Sequence, residues 1–261
     1  MAEPLVKIHV HENTATILLN RPDKRNALTR AMLAELDQGL HDLHMQRSAR
    51  AIVISGAGPA FCAGMDLAEM KATAESPDAK QLWEDDARAY RDVIEKMLRF
   101  PKPIIAAVDG AAVAGGAGLA LACDIIVASE NARFGFPEPR RGLIAGIVAP
   151  VLHFRVGAGH AAYLLLTADL IDAQRAHDLG IFHEVVKQDV VWARANELAQ
   201  TCAASAPEAL SLTKRLLNET IGHHLPTMLA AGAAASCTAR TTEAAAEGLA
   251  AFLEKREPNW E

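Results

Sequence analysis

The sequence predicts an α/β fold with a mostly parallel sheet, followed by a helical C-terminal region. Short apolar runs typical of strands alternate with helical segments over residues 1–190, the pattern of successive β-α-β units. Two of these runs, Ile104–Val108 and Ile125–Ala128, are apolar throughout, as strands covered on both faces are. Beyond residue 190 the pattern is mainly helical. We therefore divide the chain into an α/β core over residues 1–190 and a helical region over residues 191–261.

The N-terminal elements follow from alternation and capping. Leu5–Val10 alternates in polarity and Thr14–Asn20 is rich in strand-forming residues, and the short polar turn between them predicts a hairpin. Thr29 is a suitable N-cap for a helix. The apolar face of that helix carries residues at helical spacing, namely Met32, Leu33, Leu36, Leu40 and Leu43. The apolar run Ala51–Ser55 predicts a buried strand.

The middle of the chain continues the alternation. Lys71–Lys80 is polar and contains a Ser-Pro pair, which predicts an irregular segment. Trp83–Phe100 predicts a helix that ends before Pro101, because the residue before a proline is disfavoured in a helix. Ile104–Val108 predicts a second buried strand, and the small residues of Gly115–Ala122 predict a helix that packs closely.

Three further strands and a short helix complete the predicted core. Ile125–Ala128 and Arg133–Phe136 predict the third and fourth strands after the hairpin. Asp172–Gly180 has the acidic start and glycine end of a short capped helix. Ile181–Val186 predicts the last strand, and Val190–Glu257 predicts a run of helices.

The charge balance argues against a nucleic-acid partner. The chain has 26 Lys and Arg residues against 32 Asp and Glu residues, which gives a formal net charge of -6. Dedicated nucleic-acid binders are usually basic and carry clustered Lys and Arg, and no such run is present in this sequence. We expect no nucleic acid among its partners.

Cysteine usage and hydropathy indicate a cytoplasmic protein with no membrane partner. The four cysteines are far apart in sequence, so we expect reduced thiols in a reducing compartment. The N-terminal residues lack the charged and then apolar layout of a signal peptide. The most apolar region, Ile104–Ala128, is interrupted by two aspartates and four glycines, which is unlike a membrane span.

Two glycine-bearing turns follow buried strands, at Phe61–Leu67 and Val113–Ala120. Neither they nor Gly56–Phe61 contain the G-x-G-x-x-G spacing of a dinucleotide site, and the chain has no phosphate-binding P-loop motif. Both turns instead suit backbone N–H groups that face one oxygen, because glycine allows close approach and a helix start aligns its dipole. The alternative is that Gly115 and Gly116 only allow tight packing of helix on sheet.

Five segments in order make the chain resemble the crotonase family of enoyl-CoA hydratases and isomerases. They are Phe61–Leu67, Lys102–Gly110, Ala114–Gly116, Cys123–Ile126 and Phe134–Glu138. The resemblance runs from Ile17 to Arg256. It implies a crotonase-like ββα-superhelix core, an acyl-CoA thioester as ligand and a helical C-terminal trimerisation region over residues 191–261. It also implies a homotrimer or a dimer of trimers.

The resemblance also implies the chemistry. The family holds the thioester oxygen with two backbone N–H groups, which fall here on Met65 and Gly115 and stabilise an enolate. Family hydratases carry two glutamates. The second matches Glu138, but Gly118 occupies the first position and has no titratable group. A single carboxylate favours double-bond isomerisation, while hydration and acyl-CoA binding without catalysis remain alternatives.

Further substrate contacts are implied by the same match. Lys24 and Arg25 fall where the family contacts coenzyme A, although both would also suit a solvated loop. The remaining implied contacts are Ala27, Ala63, Asp66, Leu67, Gly116, Pro137 and Leu143. Coenzyme A enters as part of the substrate, and we expect no separate cofactor and no metal.

Glu138 is the candidate acid and base. The apolar stretch Leu143–Val148 should raise its pKa by desolvation, which suits proton transfer near neutral pH. Arg140 and Arg141 follow closely, and two roles are open to them. They either hold the loop by a salt bridge, which we favour, or pair with Glu138 and lower its pKa.

Overall fold

The protein, described here from a computed structural model of residues 3–260, contains two sheets. The larger sheet has six strands, which all run parallel except the first. In spatial order they are β1 (Val6–Val10), β2 (Thr14–Leu19), β3 (Ala51–Gly56), β5 (Ile104–Val108), β7 (Ile125–Ser129) and β10 (Glu184–Val186). The predicted hairpin forms β1 and β2, which pair antiparallel, and β2 then pairs parallel with β3.

The smaller sheet was not foreseen as a separate layer. Its strands, in spatial order, are β4 (Ala60–Cys62), β6 (Ala111–Val113), β8 (Arg133–Gly135) and β9 (Leu170–Asp172). Each strand has only three residues, and of the four only β8 was predicted from the sequence. Three times in succession a strand of the large sheet is followed by a strand of the small sheet and then by helix, the repeating ββα unit.

Within the described residues, ten α-helices surround the sheets. They are α1 (Arg30–Met45), α2 (Leu67–Ala74), α3 (Ala79–Arg99), α4 (Gly115–Ala122), α5 (Val148–Thr167), α6 (Ala173–Asp178), α7 (Val191–Ala203), α8 (Pro207–Arg215), α9 (Leu225–Arg240) and α10 (Glu243–Glu254). Two predicted caps are present, because Thr29 accepts a hydrogen bond from Met32 N and Asp172 accepts one from Arg175 N. A π-helical turn, Leu216–Ile221, joins α8 to the segment before α9.

The prediction of an irregular segment over Lys71–Lys80 is wrong for most of its length. The Asp66 carboxylate caps α2 by accepting from Ala68 N and Glu69 N, at 2.9 and 3.1 Å, and the helix runs on to Ala74. The next helix, α3, begins at Ala79 rather than at Trp83. Only four residues between the two helices are irregular, because the side chain that starts α2 lies before the polar stretch.

The core lies on both faces of the large sheet. On one face, residues of β2, β3, β5 and β7 pack against α1, α3, α4 and α5. On the other face, Val53, Ile105 and Val127 pack against Ala195 and Ala199 of α7. Strands covered on both sides bury every side chain, which explains why the sequence of these strands is apolar without alternation.

The C-terminal helices close over one end of the sheets. Leu229 and Ala233 of α9 belong to the main core and α9 packs along α3, while α10 packs against α2 and Glu138–Arg141. Helix α7 covers the large sheet, and the boundary at residue 190 stays a prediction. Across residues 3–260, none of the helices is both long and apolar enough to cross a membrane. In the same range the four cysteines, Cys62, Cys123, Cys202 and Cys237, are free thiols.

Candidate active site

A cavity of about 840 Å³ lies where the small sheet meets α2, α3 and the C-terminal helices. Its wall contains eleven of the twelve residues implied by the sequence, listed as Lys24, Arg25, Ala27, Ala63, Met65, Asp66, Leu67, Gly115, Pro137, Glu138 and Leu143. Gly116 lies outside the lining. A Cβ at Gly116 would be 2.2 Å from Cys62 O, so this glycine allows α4 to pack on β4.

The turn that carries the Met65 N–H is fixed from both sides. Leu28 N donates to Gly64 O at 2.8 Å, and Asp66 N donates to Leu28 O at 2.9 Å. Since alternate residues of a strand point their N–H groups to opposite sides, the Met65 N–H faces away from Leu28. Gly64 has a φ of +88°, and a Cβ there would lie 3.1 Å from Gly115 N. The two turns therefore approach closely only because residue 64 is glycine.

The Gly115 N–H stands at the start of α4, and the residue before it is strained. Ala114 has φ 52° and ψ -128°, a conformation that a residue with a Cβ rarely adopts and that costs of order 1–3 kcal/mol. Its own N–H donates to Gly135 O at 2.9 Å, which holds the turn. Over residues 3–260, neither Met65 N nor Gly115 N donates to a protein oxygen. Unused backbone N–H donors at two neighbouring turns are the groups from which an oxyanion hole can be built.

Glu138 brings an unpaired carboxyl group into the same cavity. It begins a short 3-10 turn after Pro137 and is 9% exposed. Its Oε2 atom is buried and has no hydrogen-bond partner within the described chain. Burial raises the pKa of Glu138 to about 7, while its own backbone N–H and the Arg141 guanidinium lower the pKa by smaller amounts. The buried Leu143, Ala145 and Ile147 form the predicted apolar wall.

The two arginines after Glu138 have separate roles. Arg140 forms a salt bridge with Asp169 and donates to Thr167 O, so it holds the loop. The Arg141 guanidinium lies 4.4 Å from the centre of the Phe252 ring of α10. Between residues 3 and 260, Glu138 forms no salt bridge with either arginine. The favoured prediction holds for Arg140, and no direct pair neutralises Glu138.

Tyr90 of α3 occupies the space beside Gly118, and sequence reasoning missed it. A Cβ at Gly118 would lie 2.1 Å from Tyr90 Oη and 2.7 Å from Val148 Cγ2. The Tyr90 hydroxyl donates to Gly115 O at 2.5 Å, and burial raises the pKa of Tyr90 well above its usual value, so this hydroxyl stays protonated. The only sequence signal was a tyrosine on the apolar face of a helix. Position 118 has no room for a glutamate side chain while Tyr90 is present.

The mouth of the cavity carries the cationic loop. Lys24 and Arg25 are exposed. The side-chain amide of the next residue, the buried Asn26, holds the loop in place. Asn26 Nδ2 donates to Ala57 O and Ala60 O, at 2.9 and 2.8 Å. Asp66 is both the cap of α2 and the partner of Arg21, whose Nη1 lies 2.6 Å from Asp66 Oδ2. Asp66 thus ties the mouth of the cavity to the turn that carries Met65.

The cavity also has two polar wall residues that sequence reasoning missed, Ser236 and Arg240 of α9. Their sequence context is a run of small residues in a C-terminal helix, which contains no chemical motif. No group of three or more His, Cys, Asp or Glu residues is arranged to hold a metal ion in the part of the chain described here.

Comparison with known proteins places this geometry in context. A family model described as enoyl-CoA hydratase/isomerase matches residues 9–261. A Thermus thermophilus protein whose name marks it as a candidate enoyl-CoA hydratase is 39% identical, over 95% of this chain and 97% of its own. The 1,2-epoxyphenylacetyl-CoA isomerase of Escherichia coli is 32% identical, over 97% and 96%. A crystal structure of an enoyl-CoA hydratase/isomerase from Xanthobacter autotrophicus Py2 has a TM-score of 0.87 and 32% identity, with 97% of each chain covered.

The raised pKa of Glu138 predicts a pH-dependent stability. Because the folded-state value is about 7 against 4.5 for a free glutamate, the unfolded chain loses this proton first as pH rises. Protonated Glu138 therefore adds about 3 kcal/mol to the free energy of unfolding below pH 4.5. This contribution falls as pH rises and is lost by about pH 7. Denaturant unfolding of the wild type and of Glu138→Gln at several pH values measures it. Parallel pH profiles for the two proteins would contradict the raised pKa.

Because Tyr90 fills the space beside Gly118, substitutions at these two positions should have non-additive effects on stability. Gly118→Glu should destabilise the protein by about 1–3 kcal/mol, because its Cβ would overlap Tyr90 Oη. Tyr90→Ala removes that overlap, so the double variant should be more stable than the sum of the two single changes predicts. Free energies of unfolding for the wild type and the three variants provide the test. Strictly additive losses would show that Tyr90 does not occupy the space at issue.

Proposed function

The chain belongs to the enoyl-CoA hydratase/isomerase family, and from this we propose that it isomerises the double bond of an enoyl-CoA thioester through an enolate. The likeness to the Xanthobacter structure confirms the crotonase-like α/β fold, and the relatives confirm that this is an acyl-CoA enzyme of the lyase or isomerase type. The relatives include both a hydratase name and an isomerase name. The choice between the two reactions therefore rests on the residues of this chain.

One observation carries the proposal: a buried, unpaired Glu138 carboxyl shares its cavity with the unused N–H groups of Met65 and Gly115. A thioester oxygen placed between the two donors gains hydrogen bonds as negative charge develops on it, which lowers the barrier to enolate formation. A carboxyl group with a pKa near 7 exists in both protonation states at neutral pH, so it can take up a proton and return it.

The proposed reaction uses one carboxylate twice. Ionised Glu138 removes a proton from C2 of a 3-enoyl-CoA, and the electron pair of the C–H bond enters a dienolate whose oxygen the two N–H groups hold. Protonated Glu138 then gives the proton to C4, so that the double bond moves from C3–C4 to C2–C3. No group is added or lost. Coenzyme A enters as part of the substrate, and the steps require no further cofactor.

Position 118 supports isomerisation over hydration. Addition of water to an enoyl thioester requires one group to position and activate the water, and family hydratases use a second glutamate for this. Here the matching residue is Gly118, and the space beside it is filled by Tyr90 Oη and Val148. The Tyr90 hydroxyl is also engaged with Gly115 O, so it is not free to act as the missing base.

The exposed loop residues support a site for the coenzyme A phosphates. Lys24 and Arg25 lie at the mouth of the same cavity, where their charge is not committed to a salt bridge within residues 3–260. Such a local cluster is enough to meet phosphates on a protein whose net charge is -6. We keep a cytoplasmic location as a proposal as well, supported by the four free thiols.

Self-association through the C-terminal helices is the last part of the proposal. Apolar side chains are exposed along α8 and the π-helical turn, among them Leu216 and Ile221 at 53% and 63% exposure. Contiguous exposed apolar surface is typical of subunit interfaces. The expected assembly is a homotrimer or a dimer of trimers.

Product analysis tests the reaction. We expect the wild type to convert 3-enoyl-CoA into trans-2-enoyl-CoA, and Glu138→Gln to lower kcat by about 10²-fold or more because no other carboxyl serves the step. The absorbance of the conjugated product measures the isomerisation, and mass spectrometry detects any hydrated product by its added mass. Glu243→Gln, at an exposed residue of α10, is the matched control. Efficient formation of 3-hydroxyacyl-CoA from trans-2-enoyl-CoA would establish hydration instead. Tight binding with no turnover would establish a non-catalytic binder.

Sedimentation tests the assembly. Leu216→Glu with Ile221→Glu should shift the protein from trimer or hexamer towards monomer, because two charges would replace exposed apolar side chains at the interface. Sedimentation velocity at several protein concentrations measures this, and circular dichroism checks that the helices persist. An unchanged sedimentation coefficient in the double variant would remove this surface from the interface.

A further inference from the structure

Arg240 places a guanidinium group in the wall of the cavity, within ion-pair distance of Asp86 but without a hydrogen bond in the described part of the chain. It is the last residue of α9, its side chain is 9% exposed, and it lines the cavity together with Ser236. Over residues 3–260 its guanidinium donates no hydrogen bond, and Nη1 is fully buried without a partner. The nearest carboxylate oxygen, Asp86 Oδ2, is 4.0 Å from Nη1, beyond hydrogen-bond reach.

Asp86 is already engaged by another arginine. Arg30 donates from Nε to Asp86 Oδ1 at 2.5 Å and from Nη2 to Asp86 Oδ2 at 2.8 Å, a two-pronged pair. Another carboxylate near Arg30, that of Glu69, accepts from the backbone N of Arg30 at 3.0 Å. Two guanidinium groups thus share one buried carboxylate, and Arg240 is the one left without hydrogen bonds.

An arginine in this position is costly unless something binds it. Burial of a polar group without a hydrogen bond is unfavourable, and burial lowers the pKa of Arg240 because the charged form loses its water. The other buried arginine of the wall, Arg141, packs on Phe252 and donates to Pro137 O at 3.4 Å. Arg240 has only the Asp86 carboxylate at 4.0 Å, donates no hydrogen bond within residues 3–260, and lines the cavity.

The position of Arg240 puts it beyond the reacting carbons. Asp86, beside Arg240, lies four residues before Tyr90 on α3, which is one turn or about 6 Å along the helix. Tyr90 in turn donates to Gly115 O, under the oxyanion donors. The cavity wall also includes the buried apolar side chains of Met70, Ile147 and Val148. A short acyl chain that starts at the oxyanion donors therefore passes apolar side chains and ends near Arg240.

From this arrangement we propose that Arg240 binds a carboxylate at the far end of the acyl group. The preferred substrates would then be CoA thioesters of dicarboxylic acids, an inference that rests on the proposed acyl-CoA function. A carboxylate matches the planar fork of a guanidinium with two acceptors, and Ser236 offers a hydroxyl beside it. An alkyl end would leave the buried guanidinium without hydrogen bonds.

Binding of two saturated thioesters of equal length tests whether Arg240 recognises a distal carboxylate. Adipoyl-CoA and hexanoyl-CoA differ only at the distal end and cannot isomerise, so titration calorimetry on the full chain reports affinity without turnover. We expect the wild type to bind adipoyl-CoA at least tenfold more tightly. Arg240→Met should reduce this ratio to about one, and Arg240→Lys should retain part of it. Arg88→Met, an exposed arginine of α3 outside the cavity, is the matched control and should keep the full ratio.

Three results would overturn the proposal in distinguishable ways. Equal affinities in the wild type would reject the carboxylate site and leave the acyl-CoA function standing. An Arg240→Met variant that binds both thioesters more weakly by the same factor would assign Arg240 a structural role, with circular dichroism as the check on folding. Failure of the wild type to bind either thioester would reject the acyl-CoA function, and the carboxylate site with it.

Discussion

The approach of two backbone turns sets the geometry on which the rest of the site depends. A Cβ at Gly64 would meet Ala114 Cβ at 2.8 Å and Gly115 N at 3.1 Å, so the turn before α2 reaches the start of α4 only with glycine at position 64. Pairing of β4 with β6 in the small sheet holds the two turns side by side. The strain at Ala114 is offset by this surrounding structure, which fixes the direction of the Gly115 N–H before any ligand binds.

The remaining chemistry depends on what is buried next to those donors. Glu138 keeps a free Oε2 because Arg140 is held by Asp169 and Arg141 by the Phe252 ring, so desolvation outweighs attraction and raises its pKa. Tyr90 fills the space beside Gly118 and stays protonated. The cavity thus has one titratable carboxyl at its centre. Two buried arginines, Arg141 and Arg240, also line this cavity.

The net charge of -6 disfavours nucleic acid but does not exclude other polyanionic ligands. A polyanionic ligand needs only local cations, and the cavity has them at separate places: Lys24 and Arg25 at the mouth and Arg240 deep in the wall. The mouth residues could be found from their place in a motif loop. Arg240 could not, because its importance comes from the absence of a hydrogen-bond partner, and that depends on how α9 packs against α3.

The sequence by itself determined the buried strands of the large sheet, the caps at Thr29 and Asp172, and the order of the turns that carry Met65, Gly115 and Glu138. These features depend on neighbouring residues, through apolar runs, capping side chains and glycine spacing, so they can be read along the chain. Tertiary structure decided the small sheet, whose three-residue strands carry too little pattern to be recognised. It also decided the contacts of Tyr90 and Arg240, because these join residues 25 or more positions apart, and sequence spacing contains no record of which side chains fill one space.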